Sequence, residues 1–126
     1  MKQILLIDDD RDDAELFKEA LSELDASIGF EHYEDSKEGL RRLLERQSVL
    51  PDIIFLDINM PVVSGWQCLT EFKKSEHLKD ITVIMFTTSS QPRERELAQE
   101  LGAEGFITKP SDYKTLKTML SSVIKN

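Results

Sequence analysis

At 126 residues, with 40% hydrophobic and 32% charged side chains, the chain is long enough to close its own core as one domain and too apolar to stay disordered. Its formal net charge of −8 opposes binding to nucleic acid or an anionic membrane and favours cations and basic partner surfaces. No apolar run reaches a membrane span, the start lacks a secretory h-region, and the single Cys68 excludes an internal disulfide, so a cytoplasmic protein is expected.

Short apolar runs alternate with amphipathic stretches, the rhythm of βαβ units. Ile4 to Ile7 reads as a buried strand, and Arg11 to Leu24 as a helix with Ala14, Leu16, Phe17, Ala20, Leu21 and Leu24 at helical spacing. Asp12, Asp13 and Glu15 suit the positive end of that helix. Phe30 to Tyr33 is a weaker strand, after which Ser36 opens a helix carrying Leu40, Leu43 and Leu44. Asp52 to Leu56 is apolar without alternation, as a central strand covered on both faces must be, and it delivers Asp57 into a turn closed by Pro61.

Ser64-Gly65-Trp66-Gln67 fits a capping box, so a third helix starts there and runs to about Lys74, with Cys68 as a small buried hydrophobe. Ile81 to Phe86 is a fourth buried strand, and Thr87-Thr88-Ser89-Ser90 leads to a helix from Pro92 to Leu101 that Gly102 ends. Gly105 to Thr108 is a short fifth strand. The last helix covers Asp112 to Ile124, with Tyr113, Leu116, Met119, Leu120 and Val123 on one face. The pairs Arg41-Arg42 and Lys73-Lys74 read as solvated faces, and His32 and His77 as structural histidines. Trp66 and Tyr113 suit helix packing and partner surfaces equally. With no linker or repeat, a single domain over residues 1–126 and no output domain are expected.

Five strands, each followed by a helix, predict a doubly wound parallel sheet of order 2-1-3-4-5. The residues following each strand then share one edge: Asp8, Asp9 and Asp10; Asp57; Thr87 and Thr88; and Lys109. Clustered carboxylates need a cation, and an all-oxygen set favours Mg²⁺ over zinc or copper. A carboxylate beside such an ion can attack phosphorus and form an aspartyl phosphate, with a lysine and a hydroxyl stabilising the equatorial oxygens.

Along its whole length the chain resembles the receiver domain of two-component response regulators, most closely the single-domain, chemotaxis-receiver-like members. The resemblance rests on Ile7-Asp8-Asp9-Asp10, on Leu56-Asp57-Ile58-Asn59-Met60-Pro61 with Ser64-Gly65, on Phe86-Thr87, and on Gly102 to Pro110. It implies a flavodoxin-like (βα)5 sandwich in which Asp57 accepts a phosphoryl group from a histidine kinase or phosphotransfer protein. Asp9 and Asp57 would bind Mg²⁺ by side chain, Asn59 by its backbone carbonyl and Asp8 through a water. Thr87 would move toward the phosphoryl group, Lys109 would ion-pair with it, and Pro110 would follow a cis peptide bond.

Asn59 and Ser89 occupy positions that tune autodephosphorylation in the family, while Asp10 is read as a solvated charge at the helix entry. Roughly −1.5 to −2 of added charge at Asp57 would bias a two-state element joining Thr87 to Phe106, where many relatives carry tyrosine. The implied output surface is the fourth helix, fifth strand and fifth helix, used by a monomer or weak dimer against a further protein target. Such a protein is a phosphorylation-switched signalling element of a phosphorelay and no enzyme beyond its own acyl-phosphate chemistry. Two alternatives are a haloacid-dehalogenase-like phosphatase, which wants an aspartate at position 59, and a flavodoxin-like binder, which wants a hydroxyl- and glycine-rich loop in place of Asp8-Asp9-Asp10.

Overall fold

The computed structural model describes residues 2–46 and 49–124. Strands β1 (Gln3–Ile7), β2 (Gly29–Tyr33), β3 (Ile53–Leu56), β4 (Thr82–Thr87) and β5 (Gly105–Thr108) alternate with helices α1 (Arg11–Leu24), α2 (Ser36–Glu45), α3 (Gly65–Lys74), α4 (Pro92–Glu100) and α5 (Tyr113–Ile124). All strand pairs are parallel, in the order β2-β1-β3-β4-β5. This is the flavodoxin-like doubly wound sheet that the strand–helix rhythm predicts. Observed ends differ from expectation by a residue or so, as where β3 opens at Ile53 because Asp52 turns its side chain to the Gln3 amide, 2.7 Å away.

Alternation along the strands divides the interior into two cores. Leu5, Ile7, Ile54, Leu56, Val83 and Met85 face Leu43, Cys68, Leu69, Phe72 and Ala98 of α2, α3 and α4. Ile4, Leu6, Ile53, Phe55, Ile84 and Phe86 face Ala14, Phe17, Ala20, Leu21, Leu116, Leu120 and Ile124 of α1 and α5. Phe17 meets Phe55 edge-on with centroids 4.9 Å apart and Phe86 at 5.5 Å, which fixes α1 over β3 and β4. Every residue of β3 is buried, as its unbroken apolar run requires.

Three sequence readings change. Leu16 and Leu44 are exposed because each lies outside the narrow arc that its helix turns to the sheet. Met119 is partly exposed and belongs to neither core; Ile124, one turn after Leu120, is buried instead. Lys73 is no solvated charge: its ammonium pairs with Glu104 at 2.8 Å and lies 3.3 Å from the Lys79 and Ile81 carbonyls. Arg41 and Arg42 do remain on the surface, paired with Glu38.

Helix starts follow their capping residues. Asp10 caps α1 by accepting from the Asp13 amide, Asp35 caps α2, and Ser64 with Gln67 forms the complete capping box of α3. Asp10 therefore spends its carboxylate on the helix end. Gly102 at φ 98° closes α4, as a residue without Cβ can. His77 holds the Leu43 carbonyl at 3.1 Å through Nε2, and Ser75 at 2.9 Å, so it joins α2 to the end of α3.

Candidate functional site

Because β1 and β3 pair with Ile7 opposite Leu56, the residue after each strand emerges beside the other. The Asp57 amide donates to the Ile7 carbonyl at 3.0 Å and the Asp8 amide to the Tyr33 carbonyl at 3.2 Å, so backbone pairing fixes both aspartates. His32 Nε2 lies 2.8 Å from the Asp8 carbonyl, which can only accept, so the ring donates and pins this peptide from β2. Asp8 is buried, Asp57 is 7% exposed, and Asp9 is exposed. One carboxylate oxygen from each of the three lies within 4.8 Å of the others.

Backbone amides and one ammonium serve this cluster. Asp8 Oδ1 accepts from the Asp10 amide at 2.9 Å and Asp57 Oδ1 from the Ile58 amide at 2.8 Å. Asp8 Oδ2 is buried and pairs with the Lys109 ammonium at 2.8 Å. Burial pushes both carboxyls up, Asp57 to about 6, with Asp8 and Asp9 repelling the Asp57 charge and Lys109 opposing the rise. Three carboxylates that share one ammonium, in an all-oxygen set whose charge is held back by burial and mutual repulsion, fit a divalent cation.

Lys109, just past β5, reaches into the cluster. Its amide donates to the Thr87 carbonyl at 2.6 Å, which sets the direction of its side chain. Its ammonium donates to Asp13 Oδ2 at 2.8 Å, stands 3.6 Å from Asp57 Oδ2, and lies 5.5 Å from the Phe86 ring centroid. Burial alone would lower its pKa, but the bonds to Asp13 and Asp8 outweigh it and hold the ammonium charged. Among the described residues no peptide bond is cis, so the Lys109–Pro110 bond is trans and the expected cis bond is corrected. The trans form is the lower in energy for an isolated X–Pro bond, and here Lys109 already reaches Thr87 and the carboxylates with it.

Thr87 ends β4 fully buried, its hydroxyl oxygen accepting from the Ser89 amide at 3.3 Å. Thr108 Oγ1 donates to the Ser89 carbonyl at 3.0 Å and ties this loop to β5, while Thr88 points to solvent. Asn59 is exposed in the turn after β3, where Val62 takes φ 69°. Phe106 is half-buried against the α2–α4 core, under Arg95, whose guanidinium lies 4.9 Å from the ring centroid and donates to the Phe106 carbonyl at 3.1 Å. A groove of about 730 Å³ between Leu24 and α5 contains none of these residues.

Asp8, Asp9, Asp57 and Lys109 thus come together as the strand ends predict. Asp13 and Arg95 lie outside the set the sequence marks, and His32 has the structural role expected of it, at the Asp8 peptide. Position alone hinted at Asp13, on the first turn of the helix that follows the acidic run; the sequence carries no signal that sets His32 against Asp8 or Arg95 against Phe106.

Residues 4–121 match the family model for the response regulator receiver domain. The chain is 30% identical to PilH of Pseudomonas aeruginosa over 124 residues, covering 98% of each. Some other curated relatives are longer, and the match spans 17% of one and 50% of another. Its fold superposes on the phosphorylated cyanobacterial phytochrome response regulator RcpA with a TM-score of 0.90 at 26% identity, covering 98% of this chain and 91% of that one. The Mn²⁺-bound response regulator Rcp1 gives 0.85 at 29% identity with the same coverage.

Proposed function

The chain belongs to the response regulator receiver domain family, and from that premise we propose that Asp57 is its phosphoacceptor and that Asp8, Asp9 and Asp57 hold Mg²⁺. The observation that carries the reading is the convergence of Asp8, Asp9, Asp57 and Lys109 at the ends of three strands, three carboxylates against one ammonium.

Asp57 attacks the phosphorus of a phosphohistidine on a histidine kinase or phosphotransfer protein. A P–O bond forms at Oδ as the P–N bond breaks, and the imidazole nitrogen leaves with the electron pair. When bound, Mg²⁺ neutralises the carboxylates and draws charge from the phosphoryl oxygens. Asp9 and Asp57 would hold the ion by side-chain oxygens, Asn59 by its backbone carbonyl and Asp8 through a water. Lys109, 3.6 Å from Asp57 Oδ2, swings onto an equatorial oxygen, and the Thr87 hydroxyl turns from the Ser89 amide to do the same. Movement of Thr87 then shifts the packing of Phe106, which alters the α4–β5–α5 face presented to a target.

Within this reading residues 1–126 form one receiver unit, and Asn59 and Ser89 tune loss of the phosphoryl group. Nothing favours a phosphatase, since residue 59 is asparagine, or a flavin-phosphate binder, since the loop after β1 presents carboxylates where phosphate would need donors. The test is intact-mass measurement after incubation with phosphoramidate or acetyl phosphate and Mg²⁺. Wild type gains one phosphoryl group and Asp57→Asn gains none; equal labelling of the two would overturn the assignment.

A further inference from the structure

The Lys109 ammonium pairs with Asp13 and Asp8 more closely than with Asp57. The Nζ–Oδ2 distance is 2.8 Å to Asp13, 2.8 Å to Asp8 and 3.6 Å to Asp57. Asp13 is the third residue of α1, and its own amide is held by the Asp10 cap, so its carboxylate is carried on a fixed turn facing the strand ends. The side chain of Lys109 is 9% exposed and that of Asp13 34%, so the pair closes the α1 side of the site.

From this geometry we propose that Asp13 is a positioning residue for phosphoryl transfer: it parks the Lys109 ammonium away from Asp57, so that an incoming phosphoryl group must compete with the Asp13 carboxylate for it. The inference rests on the assignment of Asp57 as phosphoacceptor. An ammonium with three donors can serve Asp8 and a phosphoryl oxygen together, but moving it toward Asp57 lengthens the bond to Asp13. Asp13 thereby weakens binding of a phosphoryl group relative to a site without it, and ties the first turn of α1 to occupancy of the site. Partial exposure of Asp13 keeps the effect modest, because solvent screens the pair.

The experiment is calorimetric titration with beryllofluoride at saturating Mg²⁺. Asp13→Asn, which keeps shape but loses charge, is expected to tighten binding by about threefold to tenfold, whereas Asp13→Glu stays at the wild-type value. Asp12→Asn removes an equal charge from an exposed neighbour and changes binding less than twofold. In a Lys109→Met background Asp13→Asn has no such effect, read as the rate of labelling by phosphoramidate, which remains measurable when binding is weak. Unchanged or weaker binding by Asp13→Asn overturns the proposal, as does equal tightening by Asp12→Asn or persistence without Lys109. Absence of beryllofluoride binding by wild type overturns the assignment of Asp57 instead, and this proposal with it.

Discussion

Asp57 is 7% exposed, and burial, with repulsion from Asp8 and Asp9, lifts its carboxyl to about 6 from an unfolded value near 3.8. An acid whose pKa is raised on folding destabilises the folded state when ionised. The penalty is absent below the unfolded value, grows as pH rises from 3.8 to about 6, and is complete above that. A rise of this size corresponds to at most about 3 kcal/mol. Asp57→Asn is therefore expected to unfold at higher denaturant than wild type in EDTA at pH 7.5, by about 1–3 kcal/mol, with the difference vanishing toward pH 4. A variant less stable than wild type at pH 7.5 would show that Lys109 outweighs burial. Cys68 gives the opposite lesson at this scale: burial pushes its thiol up to about 12, so it remains a protonated core side chain, as its neighbours Leu69 and Phe72 suggest in the sequence.

Among the elements, α3 is seated most tightly against the site. A Cβ added at Gly65 would collide with the Asp57 carbonyl oxygen and lie 2.8 Å from Ile58 Cα, both backbone atoms that cannot rotate away. The Gly65 amide meanwhile donates to the Ile58 carbonyl at 2.9 Å. Gly65→Ala must push α3 off β3 or displace Asp57, at a cost of about 1–3 kcal/mol in urea unfolding. Labelling by phosphoramidate should slow in the same variant, whereas loss of stability with unchanged labelling would mean that the helix alone gives way. The capping box that starts α3 is legible in Ser64-Gly65-Trp66-Gln67, but the need for glycine within it is not, since it comes from the approach of another element. Likewise the acidic first turn of α1 is plain in the sequence, whereas only the docking of α1 on the sheet selects Asp13 over Asp12 to meet Lys109.

For the whole molecule, two cores on either side of one sheet hold the strand ends still while their carboxylates repel. A cation that binds only the folded cluster must raise overall stability. At tenfold excess over its dissociation constant, Mg²⁺ is expected to add about 1.4 kcal/mol, on the order of 5 °C in melting temperature. Asp9→Ala should remove most of that shift while changing the metal-free melting point little, because Asp9 is exposed. A full shift in Asp9→Ala would exclude it from the ligand set. Among the described residues no helix is long and apolar enough to cross a membrane.

The amino-acid pattern by itself determined the order of strands and helices, the sheet topology, and the shared edge that carries Asp8, Asp9, Asp57, Thr87 and Lys109. It could do so because apolar periodicity and strand-end chemistry are local, and parallel βαβ connections admit few topologies. Tertiary structure alone decided how those groups are spent. Asp10 caps α1, and Asp13 and Asp8 share the Lys109 ammonium. His32 pins the Asp8 peptide, Arg95 covers Phe106, and the bond before Pro110 is trans. Apart from the Asp10 cap and the peptide bond before Pro110, which are local, these depend on ångström distances between different elements, and no spacing along the chain encodes such distances.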